Sequence, residues 1–498
     1  MPTPTPSVST FTPGVFAPAS NFKDRCANPR SGVNPSTGAR WPDIQGTTTD
    51  ENNWLRSWSN DIYLWYSEIQ DADPSKYSTP TYFDLMKTMA TTSTGVPRDK
   101  FHFTYDTNTW LAFSQGGPTA GYGATFTLIN SSPPREVVVA YTEPNTPATS
   151  LSVQLARGAT ILKVDGVDVV NGSDTATLNA GLFPAASGET HTFTILDLGA
   201  STSRDISMTS TDITETPVED VKVLDLGGQP VGYMVFNDHI KTAERELIDA
   251  ISQFKSAGVV DLILDLRYNG GGYLDIANEL SYMIAGSTAS GQTFEQLQFN
   301  DKHPNVDPFT GQALTPTLFH TTAVGFTSNV QSGSPLPTLN LSRVFVITGP
   351  DTCSASESII NSLRGIGVEV DEIGTDTCGK PYGFYPVDNC GTTYFTIQFR
   401  GINAAGFGDY TDGFSPQNAT GQGSVPLPGC AVADDYTHAL GDTTESRLAA
   451  TIQYRADGSC PTASARRSLT ESGVSPLAAV DGHTVKPLWL QNRILYTP

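Results

Sequence analysis

The chain of 498 residues carries 51 acidic side chains against 29 lysines and arginines, and its net charge of −22 disfavours nucleic acid or another polyanion as a partner. Its hydrophobic fraction of 38% can form a sizeable core, and its length predicts about three domains. No window reaches the ~18 apolar residues of a membrane-spanning helix, so we expect no membrane span.

The N-terminal sequence and the cysteines bear on the compartment. The start, MPTPTPSVSTFTPG, lacks the basic and apolar regions of a signal peptide, and we expect that any such peptide has already been removed. Six cysteines without close CxxC pairs predict disulfides of unknown connectivity rather than a metal site. We therefore predict a periplasmic or extracellular protein that needs neither a metal nor a cofactor.

The first 212 residues show three kinds of pattern. Residues 1–50, rich in Thr, Pro, Ser and Gly, predict an extended leader. Over residues 51–118, aromatic residues such as Trp54 and Trp58 recur at helical spacing and predict a small helical domain. Residues 119–212 contain short alternating segments between turns, which predict a β-rich module.

Beyond residue 212, strand and helix patterns alternate. VGYMVF, VVDLILDL and SRVFVITG have strand character, and Ala243–Ala257 has helical periodicity. Such alternation is typical of a βα-layered domain with a largely parallel sheet. We predict a multidomain fold of mixed α/β and β type, in which residues 213–498 form the core and a C-terminal extension.

A serine pair lies where one of these strands gives way to a helix. In PDTCSASESIINSLRG, Ser354 and Ser356 occupy a turn that exposes a side chain beside the unpaired amides of a helix N-terminus, which can stabilise an oxyanion. This context suits a nucleophile. The alternative is that one serine caps the helix, with Glu357 as its capping-box partner.

A glycine run follows another buried strand, in VVDLILDLRYNGGGYLD. After Asn269, the glycines up to Gly272 allow close approach of the backbone, and an amide there could complete an oxyanion hole. A phosphate cradle and an ordinary turn are the alternatives, although the run lacks the full phosphate-binding motifs.

A lysine and two histidines are candidates for the base. Lys380, in IGTDTCGKPYGFYP, follows the next helix and strand after Ser354. It can act as a base only if burial lowers its pKa from about 10.4 towards 7, and otherwise it is a solvated surface residue. His102 and His239 are the rival bases, and both are more simply interpreted as structural residues.

The order DLRYNGGG, TCSASE and GKPYG resembles the C-terminal processing peptidase family, also called tail-specific proteases. The resemblance implies a serine peptidase with Ser354 as nucleophile and Lys380 as general base. It also implies an oxyanion hole made by the amide of Ala355 and that of Gly271 or Gly272.

The resemblance extends to other parts of the chain. TYFDLMKTM with DKFHFTY is similar to the helical N-terminal region of these enzymes, and LGDTTESRLAATIQY is similar to their closing helix. GYGATF followed by RGATILKVDGVDV resembles a PDZ domain, which implies a PDZ-like module over residues 119–212 inserted into a ClpP/crotonase-like core.

Two features depart from the family pattern or add to it. Bacterial and chloroplast members often have a Gln four residues after the lysine, where Phe384 stands here, and Gln398 is a candidate for its orienting role. Cys353 and Cys378 flank the two catalytic segments, and a disulfide involving either would brace the site or alter access to it.

The predicted partner is a polypeptide substrate, unfolded or with a free C-terminus. Two other classes stay open, namely a PDZ-bearing peptide-binding protein with an inactive peptidase core and a retinoid- or lipid-binding relative of the same fold. The sequence predicts no oligomeric state.

Overall fold

The computed structural model of the chain describes residues 11–114, 119–419, 423–461, 481–485 and 493–494. Its contacts divide the chain into two compact units. The first unit contains residues 1–115, 297–315 and 382–400, and the second contains residues 116–296, 316–381 and 401–498.

A capped helix with an aromatic face organises the first unit. Thr47 Oγ1 accepts the Asp50 amide, and the Asp50 carboxylate accepts the Thr47 amide, so Thr48–Ile62 begins with a capping box. Trp54 and Trp58 stack at 4.9 Å within a cluster that also contains Tyr82, Phe83, Met86 and Tyr394. The predicted aromatic stripe is therefore a core.

The other elements of the first unit are short. Phe103–Asp106 pairs with Thr392–Phe395, and the Cys26–Cys390 disulfide joins residues separated by 364 positions. The remaining elements are Ala19–Asn21, Arg25–Cys26, Ile44–Gln45, Tyr66–Glu68, Pro74–Lys76, Thr79–Asp84, Thr107–Ser114 and Val387–Asn389.

The second unit begins with a seven-stranded antiparallel sheet, here called the β module. In its strands Thr190–Leu196 and Arg204–Thr209 buried residues alternate with more exposed ones, and Phe193 and Ile195 lie in the core. The strand order is Arg204–Thr209, Thr190–Leu196, Thr160–Val164, Glu136–Thr142, Ala124–Asn130 and His483–Thr484, and Val167–Asp168 pairs with Thr160–Val164. Thr119–Gly121 and Thr211–Ile213 form a separate two-stranded sheet, and Thr175–Leu182 is a helix.

A six-stranded sheet forms the centre of the second unit. Only its first pair is antiparallel, which confirms the predicted, largely parallel sheet. Asp261–Asp265 is buried throughout, as expected for a strand covered on both faces. The order is Val218–Asp225, Pro230–Phe236, Asp261–Asp265, Arg343–Thr348, Glu369–Gly374 and Gly429–Ala431.

Four helices accompany this central sheet, and short strands extend its loops. The helices are Ala243–Ser256, Leu274–Ala285, Ala355–Gly365 and Ser446–Asp457. The remaining short elements of the second unit are Gly272–Tyr273, Gly286–Thr288, Thr317–Leu318, Phe414–Pro416, Val425–Leu427 and Arg493–Ile494. Tyr382–Gly383 belongs to the first unit, and Thr293–Gln298 and Phe399–Ile402 each have residues in both units.

All six cysteines form disulfides, as predicted; the pairs are Cys26–Cys390, Cys353–Cys378 and Cys430–Cys460. In the described part of the chain, no helix combines the length and apolar character needed to cross a bilayer.

Candidate active site

Three segments that carry the predicted residues follow neighbouring parallel strands of the central sheet. We call them the glycine turn (269–272), the nucleophile turn (349–354) and the base segment (375–380). The carboxyl ends of adjacent parallel strands share one edge of a sheet. Direct hydrogen bonds join the segments there, from the Cys353 amide to the Asn269 carbonyl and from the Cys378 amide to the Thr352 carbonyl, both at 3.0 Å.

Ser354 has a backbone conformation that L residues rarely adopt. Its φ is 60° and its ψ is −111°, at the residue immediately before the helix Ala355–Gly365. Such strain costs on the order of 1–3 kcal/mol and is typical of active sites, including strand-turn-helix nucleophiles. The hydroxyl is buried and makes no hydrogen bond with any described residue, while the Ser354 amide donates to the Glu357 carboxylate as in a capping box.

Ser356 is engaged in a structural contact. Its Oγ donates to the carbonyl of Asn269 at 3.0 Å, tying the helix to the glycine turn. Of the two candidate serines, only Ser354 keeps an uncommitted hydroxyl within the described residues.

The carboxylate of Glu357 connects the nucleophile turn with the base segment. Oε2 accepts the amides of Ser354 at 2.9 Å and Lys380 at 2.8 Å, while Oε1 accepts the Gly379 amide at 2.8 Å and the Thr377 hydroxyl at 2.6 Å. Burial raises the pKa of Glu357, and these hydrogen bonds oppose that shift. The sequence alone predicts Glu357 only as a capping-box partner. Its position at the end of TCSASE is the feature that could have indicated a wider role.

Lys380 is fully buried, and a disulfide reinforces its segment. Cys353 and Cys378 are bonded to each other with their Cα atoms 5.1 Å apart, so a covalent link joins the nucleophile turn to the base segment. These two sulfurs and Glu357 lie close enough to share an ion. Because metal binding requires thiolates and the sulfurs are joined, this cluster is a brace rather than a metal site.

The glycine turn has a geometry that requires glycine. Gly271 and Gly272 have φ values of 107° and 131°. A Cβ on Gly272 would lie 2.4 Å from the carbonyl oxygen of His239. The Gly271 amide donates to Asn269 Oδ1 at 3.0 Å and is therefore committed within the turn.

Asn269 and His239 support this turn. Asn269 Nδ2 donates to the Phe236 carbonyl at 2.9 Å, which directs Oδ1 towards the Gly271 amide and His239 Nδ1, also 2.9 Å away. His239 therefore carries its proton on Nδ1. Burial lowers the pKa of His239 to about 3, so its ring is neutral at ordinary pH and positions the turn.

His102 and Gln398 lie in the first unit. The His102 ring stacks on Phe83 at 3.8 Å, Nε2 bonds to the Phe83 carbonyl at 2.9 Å, and burial lowers its pKa. The Gln398 amide accepts from the Tyr385 amide at 2.7 Å and donates to the Tyr385 carbonyl at 3.1 Å. An orienting role for Gln398 towards Lys380 stays a prediction.

Comparison with known proteins identifies the core. Residues 230–385 match the model of peptidase family S41. A carboxyl-terminal-processing protease of Picosynechococcus sp. (strain ATCC 27264 / PCC 7002 / PR-6) is 30% identical over 178 residues, which cover 34% of this chain and 40% of that protein. The match thus spans about two fifths of the relative's length.

One solved structure shares the fold, and a second aligns with a lower score. An S41 protease structure from Bacteroides fragilis NCTC 9343 aligns with a TM-score of 0.58 and 23% identity over 84% of this chain and 98% of that one. The photosystem II D1 C-terminal processing protease aligns with a TM-score of 0.43 and 19% identity over 75% of this chain and 92% of its own.

Residues 230–385, which match the model of peptidase family S41, contain all three segments of the candidate site. The resemblance to C-terminal processing peptidases, predicted from three short motifs, is confirmed, and so is the mixed α/β multidomain fold.

Proposed function

We propose that this chain is a serine endopeptidase that forms an acyl-enzyme on Ser354 with Lys380 as general base. The observation that carries the proposal is the strained turn at Ser354, whose hydroxyl has no hydrogen-bond partner among the described residues and whose amide shares the Glu357 carboxylate with the amide of Lys380. The Glu357 carboxylate and the Cys353–Cys378 disulfide each connect the nucleophile turn to the base segment. Such preorganisation of the reacting groups favours catalysis.

The proposed reaction is an acyl transfer. Lys380, in its neutral form, takes the Ser354 proton as Oγ attacks the peptide carbonyl. The amides of Gly272 and Ala355 bind the oxyanion, and Lys380 then protonates the leaving amine before activating water for deacylation. Loss of one oxyanion donor typically costs about 3 kcal/mol in the barrier.

The proposed substrate is an unfolded polypeptide or one with a free C-terminus. We interpret the β module, residues 119–212, as PDZ-like, residues 51–118 as a helical domain, and residues 213–498 as a ClpP/crotonase-like core with its extension. Within residues 119–212 the strand Ala124–Asn130 lies at the end of the sheet order, and such a strand suits recognition of an extended peptide. Three disulfides are compatible with a periplasmic or extracellular location.

Cleavage of unfolded casein tests both catalytic assignments. We expect the wild type to cleave casein between about pH 6 and about pH 10, with a rate that rises as the base loses its proton. Ser354→Ala and Lys380→Ala should each be inactive. A serine-directed fluorophosphonate should label the wild type at Ser354 and leave Ser354→Ala unlabelled.

Two other outcomes would each contradict one part of the proposal. Full activity in Lys380→Ala would disprove the lysine as base and direct attention to His239. A wild type that neither cleaves casein nor reacts with the fluorophosphonate would contradict the enzyme assignment and favour the peptide-binding alternative.

A further inference from the structure

Cys353, Glu357 and Cys378 bring three potential metal ligands together beside the candidate nucleophile. Their two sulfurs and a carboxylate oxygen all lie within 4.8 Å of one another. Thiolates and carboxylates are ligands that Zn²⁺ takes in proteins. In the oxidised chain the sulfurs are bonded to each other and cannot act as thiolates, so reduction of the disulfide is the event that makes them available.

Hydrogen bonds hold the backbone of both cysteines in place independently of the disulfide. The Cys353 amide donates to the Asn269 carbonyl and the Cys378 amide donates to the Thr352 carbonyl, both at 3.0 Å. The Cα atoms of the two cysteines are 5.1 Å apart. Zinc–sulfur bonds of about 2.3 Å require sulfurs that are roughly 3.7 Å apart, a separation that rotation of the two side chains can supply. Since reduction breaks neither hydrogen bond, both thiols remain within reach of one ion.

Glu357 supplies the third ligand from the first turn of the helix that follows the nucleophile. Its Oε1 accepts the Gly379 amide at 2.8 Å, which ties the carboxylate to the base segment. Its Oε2 lies 3.6 Å from Cys378 Sγ and also accepts the amides of Ser354 and Lys380. An ion bound to Oε2 would therefore compete with these two amides for the same oxygen.

The surroundings of these ligands suit a bound cation. Cys353 and Glu357 are buried, whereas Cys378 is partly exposed, so an ion can enter from the side of Cys378. Two thiolates and a carboxylate outweigh the double positive charge of Zn²⁺, and the charge of the buried ion is thereby compensated. Three protein ligands leave the fourth position of a tetrahedral site for water.

We propose that reduction of the Cys353–Cys378 disulfide converts this brace into a zinc site formed by both sulfurs and Glu357. A dithiol reductant transfers two electrons and two protons to the disulfide and is itself oxidised to a cyclic disulfide. Zn²⁺ then displaces the two thiol protons as the zinc–sulfur bonds form. The ion is not a cofactor of the reaction but an inhibitor of it, and this consequence rests on the proposed function.

Inhibition follows from the competition for the Glu357 carboxylate. A zinc–oxygen bond of about 2.0–2.2 Å draws Oε2 towards the sulfurs and away from the amides of Ser354 and Lys380. The ion then joins the nucleophile turn to the base segment in a geometry that differs from that of the disulfide. Oxidation of the two thiolates back to the disulfide, with two electrons passed to a disulfide oxidant, releases the ion and restores the brace.

Titration with Co²⁺ tests the site without reference to catalysis, because cobalt occupies zinc sites and its thiolate complexes absorb visible and near-ultraviolet light. The full-length wild type is reduced with dithiothreitol, freed of it without oxygen and titrated. We expect one Co²⁺ per chain, displacement by Zn²⁺, and at least about 100-fold weaker binding by the oxidised protein. Absence of thiolate absorption, or loss of the near-ultraviolet circular dichroism in the reduced chain with zinc present, would overturn the proposal.

Two disulfide variants locate the bound ion. Cys430→Ser, Cys460→Ser removes the other disulfide of the second unit and should bind Co²⁺ like the reduced wild type. Cys353→Ser, Cys378→Ser should show no thiolate absorption. Equal binding by both reduced variants would place the ion elsewhere and disprove the site.

A matched pair of glutamates tests the third ligand. Glu357→Gln should weaken Co²⁺ binding by the reduced chain about tenfold or more, because a neutral amide is a poorer ligand than a carboxylate. Glu372, a buried carboxyl that accepts the Thr348 hydroxyl, lies outside the cluster, and Glu372→Gln should leave the affinity unchanged. Equal affinities in the two variants would exclude Glu357 as a ligand and the site as proposed.

Casein cleavage tests the inhibition and separates it from the proposed function. Stoichiometric Zn²⁺ should lower the residual cleavage by the reduced chain about tenfold or more, a chelator should restore it, and the oxidised chain should be insensitive to the same concentration. Cobalt binding together with an oxidised wild type that cleaves nothing would retain the zinc site and disprove the peptidase. Cleavage by the reduced chain that bound zinc leaves unchanged would retain the peptidase and disprove the inhibition.

Discussion

At Ser354, the requirements of stability and of chemistry conflict. The residue combines a φ of 60° with a buried hydroxyl that has no hydrogen-bond partner among the described residues. Both features reduce stability, and both suit a nucleophile that must face an incoming carbonyl. The surrounding hydrogen bonds to Glu357 and Asn269 maintain this conformation.

Ser354→Gly should therefore be more stable than Ser354→Ala, by about 1 kcal/mol, because glycine adopts positive φ without steric cost. Urea denaturation of the two inactive variants measures the difference. The same pair at Ser358, inside the helix Ala355–Gly365, should show the opposite order, since glycine destabilises a helix interior. A Ser354→Gly variant less stable than Ser354→Ala would contradict the assigned strain.

Glu357→Gln should lower kcat on the order of 100-fold, because an amide group would face the backbone amides of Ser354 and Lys380 and shift the two segments. Glu372→Gln is the matched control. Burial raises the pKa of Glu372 well above its usual range, so glutamine resembles its neutral form, and Thr348 can still donate to Oε1. Similar losses of kcat in both variants would contradict a specific role for Glu357.

Sequence motifs predicted a candidate nucleophile and a candidate base but not how their segments are joined. TCSASE and GKPYG indicated Ser354 and Lys380, yet Glu357 is bonded to groups more than twenty residues away, and no local pattern records such contacts. The choice between Gly271 and Gly272 likewise depended on the orientation of the Asn269 side chain.

At the level of elements, local periodicity predicted the strands and helices of the core well. The predicted helix Ala243–Ala257 is Ala243–Ser256, and the strand within VVDLILDL is Asp261–Asp265. Local periodicity could not predict which distant segments pair with each other. Phe103–Asp106 pairs with Thr392–Phe395 because of tertiary packing, and nothing in either segment specifies its partner.

Two core helices share a buried carboxylate pair that should make stability depend on pH. Glu244 and Glu279 accept the backbone amides of residues 324–326, each at 2.7 Å. Burial, then the charge of Glu244, raises the pKa of Glu279 to about 9. Above its unfolded pKa near 4.5, the folded state holds a proton that the unfolded state has lost.

Stability should consequently fall as the pH rises from about 4.5 to about 9, by up to about 1.4 kcal/mol per pH unit. Glu279→Gln, which cannot ionise but keeps the acceptor for Val324, should remove much of this slope and be more stable than the wild type at pH 8. Denaturant unfolding of both proteins across this pH range measures the slope. The free energies of unfolding of the two proteins should converge at low pH. Parallel profiles would refute the assignment.

At the level of the whole molecule, two disulfides of the second unit provide a matched comparison. Cys353–Cys378 and Cys430–Cys460 close loops of 25 and 30 residues, so loss of either should cost a similar ~3 kcal/mol through the unfolded chain. Replacing Cys353 and Cys378 by serine should also reduce kcat, whereas the Cys430→Ser, Cys460→Ser variant should retain it. Equal kcat values in the two variants would show that the brace is irrelevant to catalysis.

The link between Cys353 and Cys378 makes oxidation a step in the biosynthesis of this chain. A newly made polypeptide with reduced thiols has every motif of the site but lacks the bond that joins the nucleophile turn to the base segment. Full activity of the proposed peptidase would then arise only after the chain meets an oxidant. Protein produced in a reducing cytosol should gain specific activity on oxidation. Its activity would then depend on the oxidation state of Cys353 and Cys378 as well as on its sequence.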